Sequence, residues 1–212
     1  MLFLKGCNFS CPYCHNPDLV KGNGNSSLCY TDEAIYGFLE QRKEFLDGVV
    51  ISGGEPTLQK GLPFVCEKIK NMGYSIKLDT NGSRPGMIAQ LIKGGLVDYI
   101  AMDIKTDPDH YAPLVNETFQ FSRLLSSIRM IMESSPAYEF RTTCARFFIN
   151  DQIIRNIARI IEGAGLYALQ GVCLTEVMNP SFFQDDDGVI DEKGLMHLKT
   201  IIEPWVRQCI VR

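Results

Sequence analysis

GVVISGGEPT, residues 48–57, reads as a strand that ends abruptly in a polar turn. Val49, Val50 and Ile51 are β-branched and favour a pleated, half-buried backbone. Ser52, Gly53 and Gly54 interrupt the run, and Pro56 suits the first turn of a helix. A helix-period segment follows at 60–71, so the stretch is half of a βα unit. The same alternation extends outward in both directions. Strand candidates lie at 2–4, 74–80, 97–103, 138–143 and 167–172, and helix candidates at 32–45, 86–94, 118–134, 151–163 and about 191–206. Thr31 before Asp32 and Glu33 reads as a capped helix start, and Gly73 as a helix terminator. Six βα units are too few to close an eight-stranded barrel. The fold class predicted is α/β, a partial (β/α)6 barrel of parallel strands, formed by one domain over residues 1–212. In such a sheet chemistry belongs at the carboxyl ends of the strands.

Composition narrows the function. With 21 Lys plus Arg against 25 Asp plus Glu, the net charge is -4, and no basic block exceeds a pair. Polymeric nucleic acid is therefore not an expected partner. No stretch reaches the roughly 18 apolar residues of a membrane span, and MLFLKG is too short for a signal peptide. Five of the eight cysteines (Cys29, Cys66, Cys144, Cys173 and Cys209) are scattered singly, a usage that suits a reducing cytoplasm. The loops richest in turn residues, 21–27 and 179–188, are too short to divide the chain.

The other three cysteines stand together after the first strand, in KGCNFSCPYCHNPDLV, residues 5–20. Cys7, Cys11 and Cys14 have the spacing C-x3-C-x2-C, with no fourth cysteine nearby. A structural zinc or an ordinary iron–sulfur cluster takes four protein ligands. Three thiolates instead can hold three irons of a [4Fe-4S] cluster and leave the fourth open to an exogenous ligand. A zinc site completed by His15 and a fortuitous cluster of buried thiols are the competing readings. SGGEP falls at the next strand end, where Gly53 and Gly54 permit close backbone approach and Glu55 can accept from a ligand ammonium. DTNGS follows the third strand, DIKT the fourth, and Arg141 sits near the end of the fifth. Polar elements thus converge on one rim.

Taken together, FLKGCNFSCPYCHNPDLV, VVISGGEPTLQ, IKLDTNG and VDYIAMDIKT resemble the radical S-adenosylmethionine (SAM) superfamily. Within it they resemble the activating proteins of glycyl-radical enzymes, of the anaerobic ribonucleotide reductase and pyruvate formate-lyase type. The resemblance implies that Cys7, Cys11 and Cys14 ligate a [4Fe-4S] cluster in the loop 6–18, and that SAM chelates its open iron. Tyr13 would lie near the adenine, and Gly53, Gly54, Glu55 and Pro56 would bind the methionyl group. Asp79, Asn81, Asp103, Lys105 and Arg141 match positions facing SAM or substrate. Asp79 and Asp103 as turn residues, and Lys105 and Arg141 as partners in structural ion pairs, are the alternatives. One electron from flavodoxin or ferredoxin would cleave SAM to a 5'-deoxyadenosyl radical that abstracts a hydrogen atom.

The substrate side departs from the activators. They carry a segment ahead of the first strand, whereas this chain starts inside it, so either the chain is shortened or the substrate is gripped differently. Where pyruvate formate-lyase activators place a histidine near the sixth strand, Val172 stands here. Phe147, Phe148, Phe182 and Phe183 can stack on a planar ligand or pack the core. Two alternative substrates therefore stand open, with the late loop and C-terminal helix, 173–212, on the substrate side. One is a glycine of a glycyl-radical enzyme. The other is a small molecule, such as a queuine-type modified nucleobase, cleaved by a lyase.

Overall fold

The computed structural model describes residues 1–21, 29–115, 119–173, 175–183 and 188–212. Seven strands among these residues form one parallel sheet in sequential order: β1 (Leu2–Leu4), β2 (Gly48–Gly53), β3 (Ser75–Thr80), β4 (Tyr99–Asp103), β5 (Tyr138–Cys144), β6 (Tyr167–Gly171) and β7 (Cys209–Val211). The sheet is open, with β1 and β7 at its edges. All six predicted strands are present. β7 is additional and pairs with β6 from Tyr167↔Cys209 to Leu169↔Val211. Most of the loop at 21–27, and residues 184–187 of the loop at 179–188, lie outside the described residues.

The helices occupy the predicted segments: α2 (Asp32–Gln41), α4 (Pro85–Lys93), α6 (Asp151–Ile160) and α7 (Glu192–Ile202) end earlier than expected, while α3 (Leu62–Asn71) and α5 (Phe121–Ser134) end where expected and begin later. A further short helix, α1 (Pro17–Lys21), closes the cysteine loop. Caps explain several boundaries. Thr31 accepts from the amide of Ala34, Asn150 from Ile153 and Asp191 from Gly194, satisfying first-turn donors. Gly73 adopts a φ of 92° just beyond α3, the left-handed conformation that ends helices.

Because strand side chains alternate, the sheet separates its two faces chemically. Toward the helices point Ile51, Ile76, Leu78, Ile100, Met102, Phe140 and Leu169, all buried. Each such burial contributes about 1.5–3 kcal/mol. Toward the concave side point Ser52, Asp79, Asp103, Arg141 and Thr143, which line a single pocket. In-register pairing places Asp103 opposite Arg141 on adjacent strands. The fold therefore presents polar groups at the carboxyl ends of β2 to β5.

Candidate functional site

A cavity of about 220 Å³ lies at this rim. It gathers Cys7, Cys11, Tyr13, Cys14, Gly53, Gly54, Glu55, Asp79, Asn81, Asp103, Lys105 and Arg141, which the sequence scatters over more than 130 positions. Pro56 alone among the expected site residues does not line it. It is buried one residue further on, where it opens a 3-10 turn at Pro56–Leu58.

The two glycines serve a neighbour rather than open space. A Cβ on Gly53 would stand 2.2 Å from the Leu4 carbonyl oxygen, and one on Gly54 2.2 Å from that of Gly6. The amides of Gly54 and Glu55 donate to those same carbonyls at 2.9 and 2.7 Å. The glycines thus let the end of β2 press against β1 and the cysteine loop. Their steric necessity holds the thiols in place.

Glu55 is fully buried, and its carboxylate is engaged by the protein. Oε1 accepts from the amide of Thr57 at 3.0 Å, from the Thr80 hydroxyl at 2.7 Å and from the Thr57 hydroxyl; Oε2 accepts from the amide of Asn81 at 2.6 Å. Burial raises its carboxyl above the ordinary value, and the four donors offset only part of that rise. The carboxylate expected to accept from a ligand ammonium thus also braces the β2 and β3 turns. Thr57, Thr80 and Asn8 were not anticipated as site residues. Their signal was only that they are polar residues flanking recognisable motifs.

The thiols have the surroundings of ligands. The amide of Phe9 donates to Cys7 Sγ and that of Asn16 to Cys14 Sγ, each at 3.4 Å, while Asn81 Nδ2 stands 4.0 Å from Cys7 Sγ. Burial pushes the Cys7 thiol up to about 11 and Cys11 up to about 12, so metal binding must displace their protons. Among the described residues no three His, Cys, Asp or Glu side chains form a site for one metal ion. His15 lines the same cavity with its ring exposed. Among the described residues the buried Tyr13 Oη has no hydrogen-bond partner, an orphaned polar atom beside the thiols.

Opposite the thiols runs a chain of alternating charge. Lys105 Nζ lies 2.9 Å from Asp103 Oδ2, Arg141 Nε 2.7 Å from Asp103 Oδ1, and Arg141 Nη1 3.4 Å from Asp79 Oδ1. Burial opposes ionisation of Asp103, yet the two cations hold its carboxyl below the usual value. Lys105 and Arg141 are correspondingly raised. The ion pairs are real, and they also form the pocket wall. The sequence alternatives of pairing and pocket lining describe the same residues.

The superfamily sequence model for radical SAM proteins matches residues 1–160. The chain belongs to the radical SAM superfamily. This radical SAM enzyme uses a [4Fe-4S] cluster and SAM, and three thiols on one loop with an unpartnered buried hydroxyl beside them fit that pair. It is 35% identical over 176 residues to a protein of Methanocaldococcus jannaschii that bears, provisionally, the name glycyl-radical enzyme activating enzyme. That match covers 80% of this chain and 71% of the relative. A 7-carboxy-7-deazaguanine synthase of Aquifex aeolicus is 33% identical over 81 residues, 38% of this chain and 34% of that protein. In fold, a domain of pyruvate-formate lyase-activating enzyme from Bacteroides vulgatus superposes with a TM-score of 0.60 at 15% identity, covering 78% of this chain and 98% of that domain. No helix of the described residues is long and apolar enough to cross a membrane.

Proposed function

We propose that this radical SAM enzyme is an activating enzyme, which takes a hydrogen atom from a glycine of a glycyl-radical partner. The observation that carries the reading is the extent of the Methanocaldococcus jannaschii match. An alignment over four-fifths of the chain necessarily takes in β2 through β5, so the likeness spans most of the sheet and the polar strand ends it carries. The whole chain acts as one catalytic domain, with the loop 6–18 at one side of the rim and residues 173–212 at the substrate side. Its setting is the cytosol, where eight free cysteines stay reduced.

Cys7, Cys11 and Cys14 hold the cluster. Tyr13, Gly53, Gly54, Asp79, Asn81, Asp103 and Arg141 form the wall against SAM. When bound, cluster and SAM supply a one-electron reductive cleavage that yields a hydrogen-abstracting 5'-deoxyadenosyl radical. The protein's own part is positioning. Glu55 fixes the two turns, and Lys105 with Arg141 keeps Asp103 ionised and aimed at the cavity.

A second reading has its own observation. The segment around 177–183 is bonded to the cysteine loop, Met178 donating to the Cys14 carbonyl at 2.9 Å and Asn179 to that of Pro12 at 3.0 Å. It lays Phe182 flat on Phe148, centroids 5.6 Å apart, and Phe148 touches Tyr13. Phe148 and Phe183 are buried in the core, and the half-buried Phe182 and exposed Phe147 beside them leave an aromatic edge that suits a planar small molecule such as a modified nucleobase.

One experiment separates them. Anaerobically reconstituted protein with SAM and dithionite is given the macromolecular or the small-molecule fraction of a source-cell lysate, and 5'-deoxyadenosine is quantified. Stimulation by macromolecules, with a glycyl-radical paramagnetic signal, is expected for the activating enzyme. Stimulation by the small-molecule fraction alone overturns it in favour of the second reading. The Cys11→Ala protein, substituted on the rim loop, should remain folded by circular dichroism yet lack bound cluster iron and SAM cleavage.

A further inference from the structure

A second pocket, of about 520 Å³, lies on the other side of the turns that Glu55 braces. It is lined by Thr57, Leu58, Lys60, Ser83, Arg84, Pro85, Gly86, Met87 and Arg123. Three of these are cations and none is an anion, on a chain whose net charge is -4. Lys60, Arg84 and Arg123 are exposed, and among the described residues none pairs with a carboxylate. An unneutralised basic cluster on an acidic protein concentrates positive potential at one place.

The pocket's chemistry argues against a small anion. Its two hydroxyls are turned inward: Thr57 is spent on Glu55, and Ser83 exchanges hydrogen bonds with Asn8 at 3.0 and 3.3 Å. Pro85 removes one of the first-turn amides of α4. Three exposed cations and the apolar surfaces of Leu58 and Met87 remain outward, which suits a broad acidic protein face.

The same pocket lies close to the cluster ligands. Ser83 bonds to Asn8, the residue after Cys7, and Asn81 Nδ2 bridges Asn8 Oδ1 at 3.1 Å and Cys7 Sγ at 4.0 Å. A continuous run of contacts therefore connects the floor of the basic pocket to a cluster thiol.

We propose that Lys60, Arg84 and Arg123 form the docking surface for an acidic one-electron carrier protein, whose electron enters through Ser83, Asn8 and Asn81 to Cys7. The proposal rests on the assignment of Cys7 as a cluster ligand. In the step the reduced carrier loses one electron and the cluster gains one, with no bond made or broken. Such encounters are small and transient, so charge is expected to govern their rate and salt dependence.

The test uses the anaerobically reconstituted enzyme and its Lys60→Glu/Arg84→Glu/Arg123→Glu variant, with a flavodoxin and a ferredoxin as probes. Binding is measured against ionic strength, and cluster reduction is followed by absorbance with the reduced carrier or with dithionite. The wild type should bind at least one carrier in a salt-sensitive manner. The triple variant should lose about tenfold or more in affinity and in carrier-driven reduction rate, with dithionite-driven reduction unchanged. Arg123→Glu alone, on the exposed face of α5, should show a smaller loss in the same direction. Salt-insensitive or absent binding to both carriers overturns the proposal, as does wild-type affinity in the triple variant. Competition by pyrophosphate that the triple variant abolishes, with carrier binding untouched, overturns it in favour of a small-anion site. Failure of dithionite to reduce the wild type would instead refute the cluster assignment.

Discussion

At Glu55 a carboxylate read in sequence as an acceptor for a ligand ammonium is in structure also a brace. Its two oxygens take four protein donors, so replacing one oxygen with an NH2 group sets donor against donor. Glu55→Gln should therefore destabilise the cluster-free protein by about 1–3 kcal/mol, read as a lower urea midpoint, and should weaken SAM cleavage as a consequence. A wild-type midpoint with reduced SAM affinity would mean that Glu55 acts on the ligand directly. The sequence did show that Glu55 belongs to the rim. It did not show the role, because Thr80 and Asn81 lie about 25 positions away and meet Glu55 only once β2 and β3 pair. The thiols were legible for the opposite reason: their spacing is local, and a single loop carries all three.

The elements followed hydrophobic pattern wherever the pattern was long enough to see. β2 to β6 are short, largely apolar segments next to turn residues, and they stand where expected. β7 was missed because Cys209–Val211 is a three-residue run between Gln208 and Arg212 with no motif after it, whereas the equally short β1 leads straight into the cysteine loop. What secures this edge is a charge interior to the sheet. Glu139 on β5 accepts from Arg212 at 2.7 and 3.2 Å and faces Lys77 on β3 at 3.4 Å. Burial pushes its carboxyl up, but Arg212 and Lys77 more than offset this, leaving it below the ordinary 4.5. A depressed folded value means stability that is present above the ordinary value and lost as pH falls through the lower one. The cluster-free protein should thus lose urea resistance as pH falls below the ordinary 4.5 of a glutamate carboxyl. Glu139→Gln should cost about 1–3 kcal/mol near neutrality, and the gap to wild type should narrow in acid. A gap that is constant with pH would rule out the ionised pair as the fastening.

For the whole molecule, the division between the two faces of the sheet makes folding and chemistry separable. The helix side is apolar and carries the core; the concave side carries the charges, braced from beneath by Glu55 and Glu139. Sequence periodicity reports the first face well, since alternation marks which residues are buried. It reports the second poorly, because Asp79, Asp103 and Arg141 become neighbours only through strand register. Ile100, fully buried in β4, tests the separation. Ile100→Ala should lower stability by about 2–5 kcal/mol through the cavity it leaves, yet the reconstituted variant, assayed cold, should cleave SAM with dithionite at the wild-type rate per folded molecule. Asp103→Asn, on the adjoining concave face of the same strand, should reverse the pattern, with a large loss of turnover for a smaller loss of stability. Equal losses of turnover in the two variants would mean that the core sets the rim geometry directly, and that the two faces of the sheet are one mechanical unit.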